Sequence, residues 1–416
     1  MALVLRVGFV LSQEGYVPSA DAGDFDRHAV SLALDGQYPP SAIGAPGGPS
    51  AFRPPGYPYV LAGLYALTGS AESAGRFEIA RLFSALLGVA AVALIGIVAW
   101  QLWGGLVGLV ALLVAALYPP LATIGTAILS EPLFIALLLA SLAAVIQGRR
   151  SLHLVRWAVI AGLLAGALAL TRTNGAIVLP VLAAALWSSP RLARASMLRP
   201  AAFLVTAALV ITPWAMRNAA AFDEFVPVST QAGLSLAGTY NEVSRDDEER
   251  PAAWRAPVMP PYAALLKSKD LDEAALEGRF RTLAVSYAKE HPSYVLEAGF
   301  WNTIRMLGLQ GPGLEHQAAP ESGIGETTSD IDVYSFYLLA ALAVISLLIG
   351  AGRRTPWFVW AVPVLLALSV VFVIAYMRYR LPIDPFLIML SAAGLVKLAI
   401  AARERLGASP AQPGTP

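Results

Sequence analysis

The chain has 416 residues, of which 57% are hydrophobic and only 14% are charged, and its formal net charge at pH 7 is +1. This composition excludes an ordinary soluble globular protein, and the absence of cysteine excludes structural disulfides and thiolate metal sites. We therefore predict an all-α polytopic membrane protein with about ten transmembrane helices.

The chain opens with an apolar stretch, residues 1–12. As a helix this stretch would rise only about 18 Å, whereas the hydrocarbon core of a bilayer is about 30 Å thick. It cannot span a membrane alone, and we expect it to be the end of a first helix that starts upstream of Met1.

Three acidic residues, Asp21, Asp24 and Asp26, precede apolar residues at helical spacing. This pattern predicts a short helix that lies in the plane of the membrane surface. A carboxylate held there could remove a proton from an incoming hydroxyl or amine. The alternative, which is the commoner one for such spacing, is a helix cap and a solvated face.

Residues 52–58 read Phe-Arg-Pro-Pro-Gly-Tyr-Pro, and their prolines predict a stiff turn that holds Arg53 at a defined place. Residues 59–67 are apolar but too short to span, so we expect them to re-enter the membrane or to lie on its interface. As an alternative, the prolines merely redirect the chain.

Residues 82–130 contain no charged side chain, which leaves room for two spans divided at Gly104 and closed by Tyr118 and the prolines after it. The further apolar stretches that can cross a bilayer, some only with tilt, are residues 132–147, 157–171, 173–189, 200–216, 333–349, 356–377 and 381–402.

Basic residues fall in alternate connections between these stretches, which predicts that those connections are cytoplasmic. Two long segments then lie outside, residues 13–76 (the first outer segment) and residues 217–332 (the second outer segment). The predicted division is an N-terminal transmembrane module 1–216, the extracytoplasmic loop region 217–332, and C-terminal helices with a cytoplasmic tail, 333–416.

Further charged residues mark the outer ends of the predicted spans. Glu131 is either a helix cap or a substrate contact. Arg172 and Arg217 lie on the outer side, as do Arg378 and Arg380 on either side of Tyr379. These four arginines are predicted to meet at one level, where guanidinium groups could bind a lipid phosphate, although any one of them could simply reach toward headgroups.

The second outer segment contains a predicted helix at residues 272–289 and an amphipathic stretch at residues 294–309 that could dock on the bilayer. We expect the second outer segment to govern the choice of acceptor, because loops on a rigid scaffold vary most freely. No metal-ligand spacing occurs, and the four histidines are scattered.

Asp21, Phe25, Ala29, Gly36 and the turn that begins at Arg53 resemble the first periplasmic loop of GT-C membrane glycosyltransferases, the group of protein O-mannosyltransferases and lipid A aminoarabinose transferases. The resemblance implies a polyprenyl-phosphate-linked sugar as donor, inversion at the anomeric carbon, and an active site on the outer face of a bacterial plasma membrane.

The resemblance also implies roles for individual residues. Aligning the family's aromatic residue with Phe25 makes Asp21 the catalytic base. Ala22 stands where a Glu is usual, so Asp24 is the second catalytic candidate. The residues expected to bind or orient substrate are Glu131, Arg53, Arg172, Arg217, Tyr379, Arg378 and Arg380.

The expected partners are the lipid bilayer, the lipid-linked sugar and a protein, lipid or glycan acceptor, with no nucleic acid. No cofactor is assigned, and participation of a divalent metal is left open. Two rival functions remain: a lipid or solute transporter, which would place ionisable groups near the bilayer midplane, and an O-antigen ligase or polymerase.

Overall fold

The structure is a computed structural model that describes residues 1–13, 15–151, 153–187, 194–311, 313 and 324–407. All regular elements in these ranges are helices. The first ten are α1 (Ala2–Ser12), α2 (Ala20–Asp35), α3 (Gly56–Thr68), α4 (Arg76–Trp103), α5 (Gly105–Leu117), α6 (Pro119–Thr123), α7 (Glu131–Arg150), α8 (Leu154–Thr171), α9 (Leu179–Ala185) and α10 (Arg194–Ala221).

The helices that follow are α11 (Gln231–Thr239), α12 (Glu242–Arg245), α13 (Tyr262–Leu266), α14 (Glu273–Glu290), α15 (Pro292–Met306), α16 (Glu326–Leu348), α17 (Trp357–Val371), α18 (Met377–Arg380) and α19 (Asp384–Gly407). Short 3-10 helices occupy Ile124–Thr126 and Thr173–Val178.

Five helices in the described ranges are long and apolar enough to cross a membrane: Arg76–Trp103, Glu131–Arg150, Ser196–Ala221, Glu326–Leu348 and Asp384–Arg405. The pair Gly105–Leu117 and Pro119–Thr126 also qualifies, although it is bent by 66°. The shorter apolar helices are Ala2–Ser12, Val155–Thr171, Thr173–Ala185 and Trp357–Val371. The all-helical architecture predicted from composition is confirmed, while several predicted spans are shorter in the structure.

The predicted boundaries differ from the structure in a few places. The chain turns between α4 and α5 at Gly104, whose φ of 94° suits glycine, as the sequence predicts. The stretch predicted to span at 173–189 is a 3-10 helix followed by the short α9 in its described part. The span predicted to end at residue 216 continues to Ala221, because α10 runs through Pro213 without a break.

The helices pack closely where small residues meet. α7 packs between α4 and α8, and α8 packs along α10. A Cβ atom at Gly162 of α8 would lie 2.3 Å from the carbonyl oxygen of Phe203 in α10, and one at Gly166 would lie 2.8 Å from that of Ala207. Such approach of two backbones is possible only without side chains at these positions.

The two outer segments fold into short helices over one end of this bundle. The helix predicted around the three aspartates is α2, and the helix predicted at 272–289 is α14, whose N-cap Asp272 accepts a hydrogen bond from the Ala275 backbone N–H at 2.8 Å. Asp26 accepts hydrogen bonds from Tyr65 at 2.7 Å and from Arg76, which ties α2 to α3 and to the start of α4. This bond network fixes α2 relative to the spans.

Candidate active site

A cavity of about 960 Å³ opens between the outer segments and the ends of the apolar helices. Side chains from both outer segments and from both halves of the chain line it. The sequence-predicted site residues in its wall are Asp21, Arg53, Arg172, Arg378, Tyr379 and Arg380. The structure therefore gathers most of the predicted residues around one space.

Asp21 and Asp24 are joined by Arg53. The Arg53 guanidinium donates to Asp21 Oδ1 at 2.8 Å and to Asp24 Oδ2 at 2.6 Å. It also lies over the ring of Phe25, with Cζ 4.9 Å from the ring centroid. Asp24 accepts further bonds from Arg27, at 2.9 Å. Arg53 thus holds the two candidate catalytic carboxylates in one network, and Asp21 is the one of them that lines the cavity.

The backbone contributes to this arrangement. Asp21 lies in the first turn of α2, and Ala20 before it has a φ of 46°, a left-handed conformation that costs a non-glycine residue about 1–2 kcal/mol. Arg53 is held in the turn that precedes α3, as its prolines predict. Both side chains are therefore positioned by constrained backbone.

The guanidinium groups keep both carboxylates ionised. Burial works against the charge of Asp21, but Arg378 and Arg53 outweigh it and hold the pKa of Asp21 well below its usual range. Burial likewise opposes the charge of Asp24, yet His28 and Arg53 lower the pKa of Asp24 below its usual value. Asp21 is therefore an anion, and a weak base, while both arginines face it.

Glu131, the first residue of α7, forms the second part of the site. It is only 1% exposed, and its Oε1 lies 2.5 Å from an Arg172 nitrogen and 3.1 Å from Arg378 Nε. Among the residues that the structure describes, no donor forms a hydrogen bond with Glu131 Oε2. The ring of Tyr379 lies against both guanidinium groups, with each Cζ 5.4 Å from its centroid.

Arg378 connects the two parts of the site. It is paired with Asp21 through one nitrogen and with Glu131 through another. Asp21, Asp24, Glu131, Arg53, Arg172 and Arg378 therefore form one continuous network, which we call the rim network. Residues from distant parts of the sequence meet in it, as the sequence predicts for the outer ends of the spans.

Arg380 and Arg217 lie outside the rim network, contrary to the expectation that four arginines meet at one level. Arg380 lines the cavity, but its guanidinium is 2.9 Å from Asp384 and lies 3.4 Å from the centroid of the Phe336 ring. Arg217 donates to the Ser50 carbonyl oxygen at 2.7 Å. The described lining of the cavity does not include Arg217. Both guanidinium groups therefore form their hydrogen bonds with other groups of the protein.

The cavity also contains residues that sequence reasoning did not assign. Thr123 donates to Asp332 at 2.7 Å, and both line the wall. Arg305 and Trp254, from the second outer segment, also line the cavity. Asp332 is the last residue of the second outer segment and directly precedes the span predicted at residues 333–349, and this position is the signal that could have identified it.

The carboxylates of this site do not form a metal-binding cluster. Each carboxylate of the rim network is paired with a guanidinium group, and no group of three or more His, Asp or Glu side chains in the described ranges is arranged to hold a metal ion. The donor set does not fit a bound divalent cation, and we derive no step through one.

The chain is similar to known proteins in sequence and in fold. The sequence profile of the dolichyl-phosphate-mannose-protein mannosyltransferase family matches residues 52–216. No curated protein matches the chain. The archaeal oligosaccharyltransferase AglB from Archaeoglobus fulgidus, in complex with an inhibitory peptide and a dolichol-phosphate, aligns with a TM-score of 0.57 at 12% identity, over 100% of this chain and 52% of AglB.

The apo form of the Archaeoglobus fulgidus enzyme aligns with a TM-score of 0.55, also at 12% identity, over 99% of this chain and 52% of that chain. ArnT from Cupriavidus metallidurans bound to undecaprenyl phosphate aligns with a TM-score of 0.45 at 16% identity, over 100% of this chain and 80% of that chain. The chain spans about half the length of AglB. At this identity the likeness concerns the fold, and the predicted resemblance to the GT-C architecture is confirmed.

Proposed function

We propose that this chain is an integral membrane glycosyltransferase of GT-C type, which transfers a sugar from a polyprenyl phosphate to an extracytoplasmic acceptor with inversion at the anomeric carbon. The observation that carries the proposal is the rim network, in which a carboxylate and a pair of guanidinium groups face one cavity. The fold it shares with AglB, a protein whose solved complex contains a dolichol-phosphate, supports the same reading.

The phosphate of the donor would bind between Arg172 and Arg378. Guanidinium groups donate forked hydrogen bonds to phosphate oxygens and stabilise the charge that develops on a departing phosphate. Tyr379 lies beside both groups, and burial raises the pKa of its hydroxyl, so that this hydroxyl remains a donor. Glu131, which faces the same two arginines, would hold them in place between catalytic cycles.

Asp21 would act as the base. The acceptor oxygen or nitrogen attacks the anomeric carbon on the face opposite the phosphate, and the bond from that carbon to the phosphate oxygen breaks with its electron pair going to the phosphate. The acceptor's proton passes to an Asp21 carboxylate oxygen. Because Asp21 is a weak base beside Arg53 and Arg378, it takes this proton late in the reaction.

Donor binding would strengthen this base. A phosphate bound at Arg378 offsets the positive charge that lowers the pKa of Asp21, so the carboxylate becomes more basic when the donor is present. The proton acceptor is thereby activated only in the loaded site. Such coupling limits proton uptake by Asp21 while no donor is bound.

The acceptor would enter past the part of the cavity wall that the second outer segment contributes, which includes Trp254 and Arg305. A protein, a lipid and a glycan are all compatible with this entrance. With the sidedness that the basic residues predict, the reaction would occur on the extracytoplasmic face of a bacterial plasma membrane.

The proposal is tested by incubating the purified protein in liposomes with a panel of polyprenyl-phosphate sugars and candidate acceptors, with donor consumption and product followed by mass spectrometry. We expect Asp21→Asn to lower kcat about 10²- to 10⁴-fold while the protein stays folded. Asp35→Asn, an exposed acid at the end of the same helix, is the matched control and should retain full turnover.

Full turnover by Asp21→Asn would remove this residue as the base. Movement of an intact lipid across the bilayer, without breakage of the sugar–phosphate bond for any donor, would instead support a transporter.

A further inference from the structure

A buried carboxylate outside the rim network joins the two outer segments. Glu273, the first residue of α14, is only 1% exposed. Its Oε1 accepts hydrogen bonds from the Ala51 backbone N–H at 2.7 Å and from the Thr230 hydroxyl at 2.6 Å. Its Oε2 accepts from the Ser50 hydroxyl at 2.9 Å and from the Ser41 hydroxyl.

This arrangement is demanding for a carboxylate. An ionised carboxylate buried away from water is costly unless its lone pairs are satisfied, and it offers about four acceptor positions. The four donors around Glu273 fill them with neutral groups, three of which come from the first outer segment. A site built so fully around one acid fixes the relative position of its donors.

Two of the four donors, Ser50 and Ala51, lie close in sequence to Arg53 of the rim network. Ser50 and Ala51 precede Arg53 by three and two residues, and two prolines follow it. The Phe52 backbone N–H donates to the Ser50 hydroxyl at 3.2 Å. Because the prolines restrict the backbone on the other side, a shift of Ser50 and Ala51 passes to Arg53 and is not absorbed by the turn.

Two neighbouring contacts strengthen this connection. The Thr230 backbone N–H donates to the Ala51 carbonyl oxygen at 3.1 Å, and Arg217 donates to the Ser50 carbonyl oxygen at 2.7 Å. Arg217, predicted to bind phosphate, thus lies in this contact between the segments. The second outer segment therefore forms hydrogen bonds with the backbone of both Ser50 and Ala51.

We infer that Glu273 is a positioning residue that sets the place of Arg53, and through Arg53 the place of Asp21, by clamping the first outer segment to the second. The inference rests on the proposed function for its kinetic consequence. It assigns to the second outer segment a part in assembling the reactive carboxylate, in addition to its expected contact with the acceptor.

The kinetic test separates kcat from KM. Glu273→Ala should lower kcat about 10- to 100-fold, because displacement of catalytic groups by about 1 Å has effects of this size. The KM for the polyprenyl-phosphate donor should stay within about twofold, since Arg172 and Arg378 keep their ion pairs with Glu131. Glu273→Gln keeps one oxygen acceptor and should recover part of the lost turnover.

Two comparisons distinguish positioning from a general loss of stability. Glu277→Gln is the matched control on the same helix, because Glu277 accepts from the Gly233 backbone N–H at 3.1 Å and so joins α14 to α11 within the second outer segment. It should retain kcat. In an Arg53→Lys background, Glu273→Ala should cause little additional loss, because both changes act through Arg53.

Hydrogen exchange gives a readout that does not depend on sugar transfer. Glu273→Ala should increase amide exchange at residues 50–56 and leave residues 377–381 unchanged. If the wild-type protein transfers no sugar, this measurement still tests the clamp, and only the proposed function fails. If Glu273→Ala does not fold, Thr230→Ala removes one donor and should show the same changes to a smaller degree.

Unchanged exchange at residues 50–56 in a folded variant would overturn the clamp. Increased exchange with unchanged kcat, in a protein that transfers sugar, would overturn the positioning role. A fall in turnover that is equally large for Glu273→Ala in the wild-type and Arg53→Lys backgrounds would overturn it as well.

Discussion

Arg378 and Arg380 differ in environment although one residue separates them in the sequence. Arg378 is 17% exposed, faces the cavity, and is shared between Asp21 and Glu131. Arg380 is 2% exposed and pairs with Asp384, which also accepts a hydrogen bond from Tyr118 at 2.8 Å. The same short helix, α18, therefore carries one guanidinium that a ligand can reach, that of Arg378, and one that is buried in an ion pair, that of Arg380.

The two ion-pair clusters therefore have different roles. A buried pair that is fully satisfied fixes local structure, whereas a partly exposed guanidinium with two competing partners can exchange one of them for a ligand. The Arg380 cluster anchors α18, and this anchor presents Arg378 and Tyr379 to the cavity. Substitutions in the two clusters should therefore separate stability from activity.

Loss of the Arg380 guanidinium should strongly reduce the stability of the protein. Arg380→Gln leaves the Asp384 carboxylate buried without its cation, and we expect the free energy of unfolding to fall by about 3–5 kcal/mol. Thermal unfolding in detergent, followed by intrinsic tryptophan fluorescence, measures this loss. A variant with wild-type stability and a raised KM for the donor would instead make Arg380 a phosphate ligand, as the sequence predicts.

The next effect is on catalysis. Under the proposed function, Arg378→Gln removes a donor to the departing phosphate, and we expect kcat to fall about 10²- to 10³-fold with only a small change in stability. Steady-state kinetics with the polyprenyl-phosphate donor provide the measurement, and Arg27→Gln, which removes a partly exposed partner of Asp24, is the control. Equal loss of stability in the Arg378 and Arg380 variants would end the distinction between the clusters.

The smallest effect concerns pH. The folded-state pKa of Asp21 is lowered, so its ion pairs stabilise the protein above the ordinary aspartate pKa of about 3.9, and this contribution is lost as the pH falls toward the folded-state value. The difference in stability between wild type and Asp21→Asn should be constant from about pH 5 to 8 and shrink below about pH 4. A difference that grows on acidification would contradict the assignment of these pairs.

Much of the fold could be predicted because its signals are local. Uncharged stretches, glycines and prolines mark the helices and their breaks, and the spacing of Phe25, Ala29 and Leu32 identifies α2. The positions at which helices end were predicted less accurately. Pro213 lies inside α10 because a long helix can accommodate an internal proline when neighbouring groups compensate.

The site was predictable only in part. The acids of the first outer segment and the outer arginines are identifiable by residue type and predicted side, and the structure brings most of them together. The sequence could not separate Arg378 from Arg380, because their roles depend on Asp384 and Tyr118 behind them. Nor could it reveal Glu273, whose partners Ser50 and Ala51 lie more than 220 residues away.

The close packing of α8 on α10 helps to set the position of Arg172 in the rim network. Arg172 follows directly on the last residue of α8, so the position of that helix determines the position of Arg172. Gly162 lies ten residues before Arg172, about 15 Å along the axis, at the point of closest backbone approach. A methyl group added at Gly162 would push α8 away from α10 and tilt it. The Arg172 guanidinium, at the far end of α8, would then be displaced from Glu131.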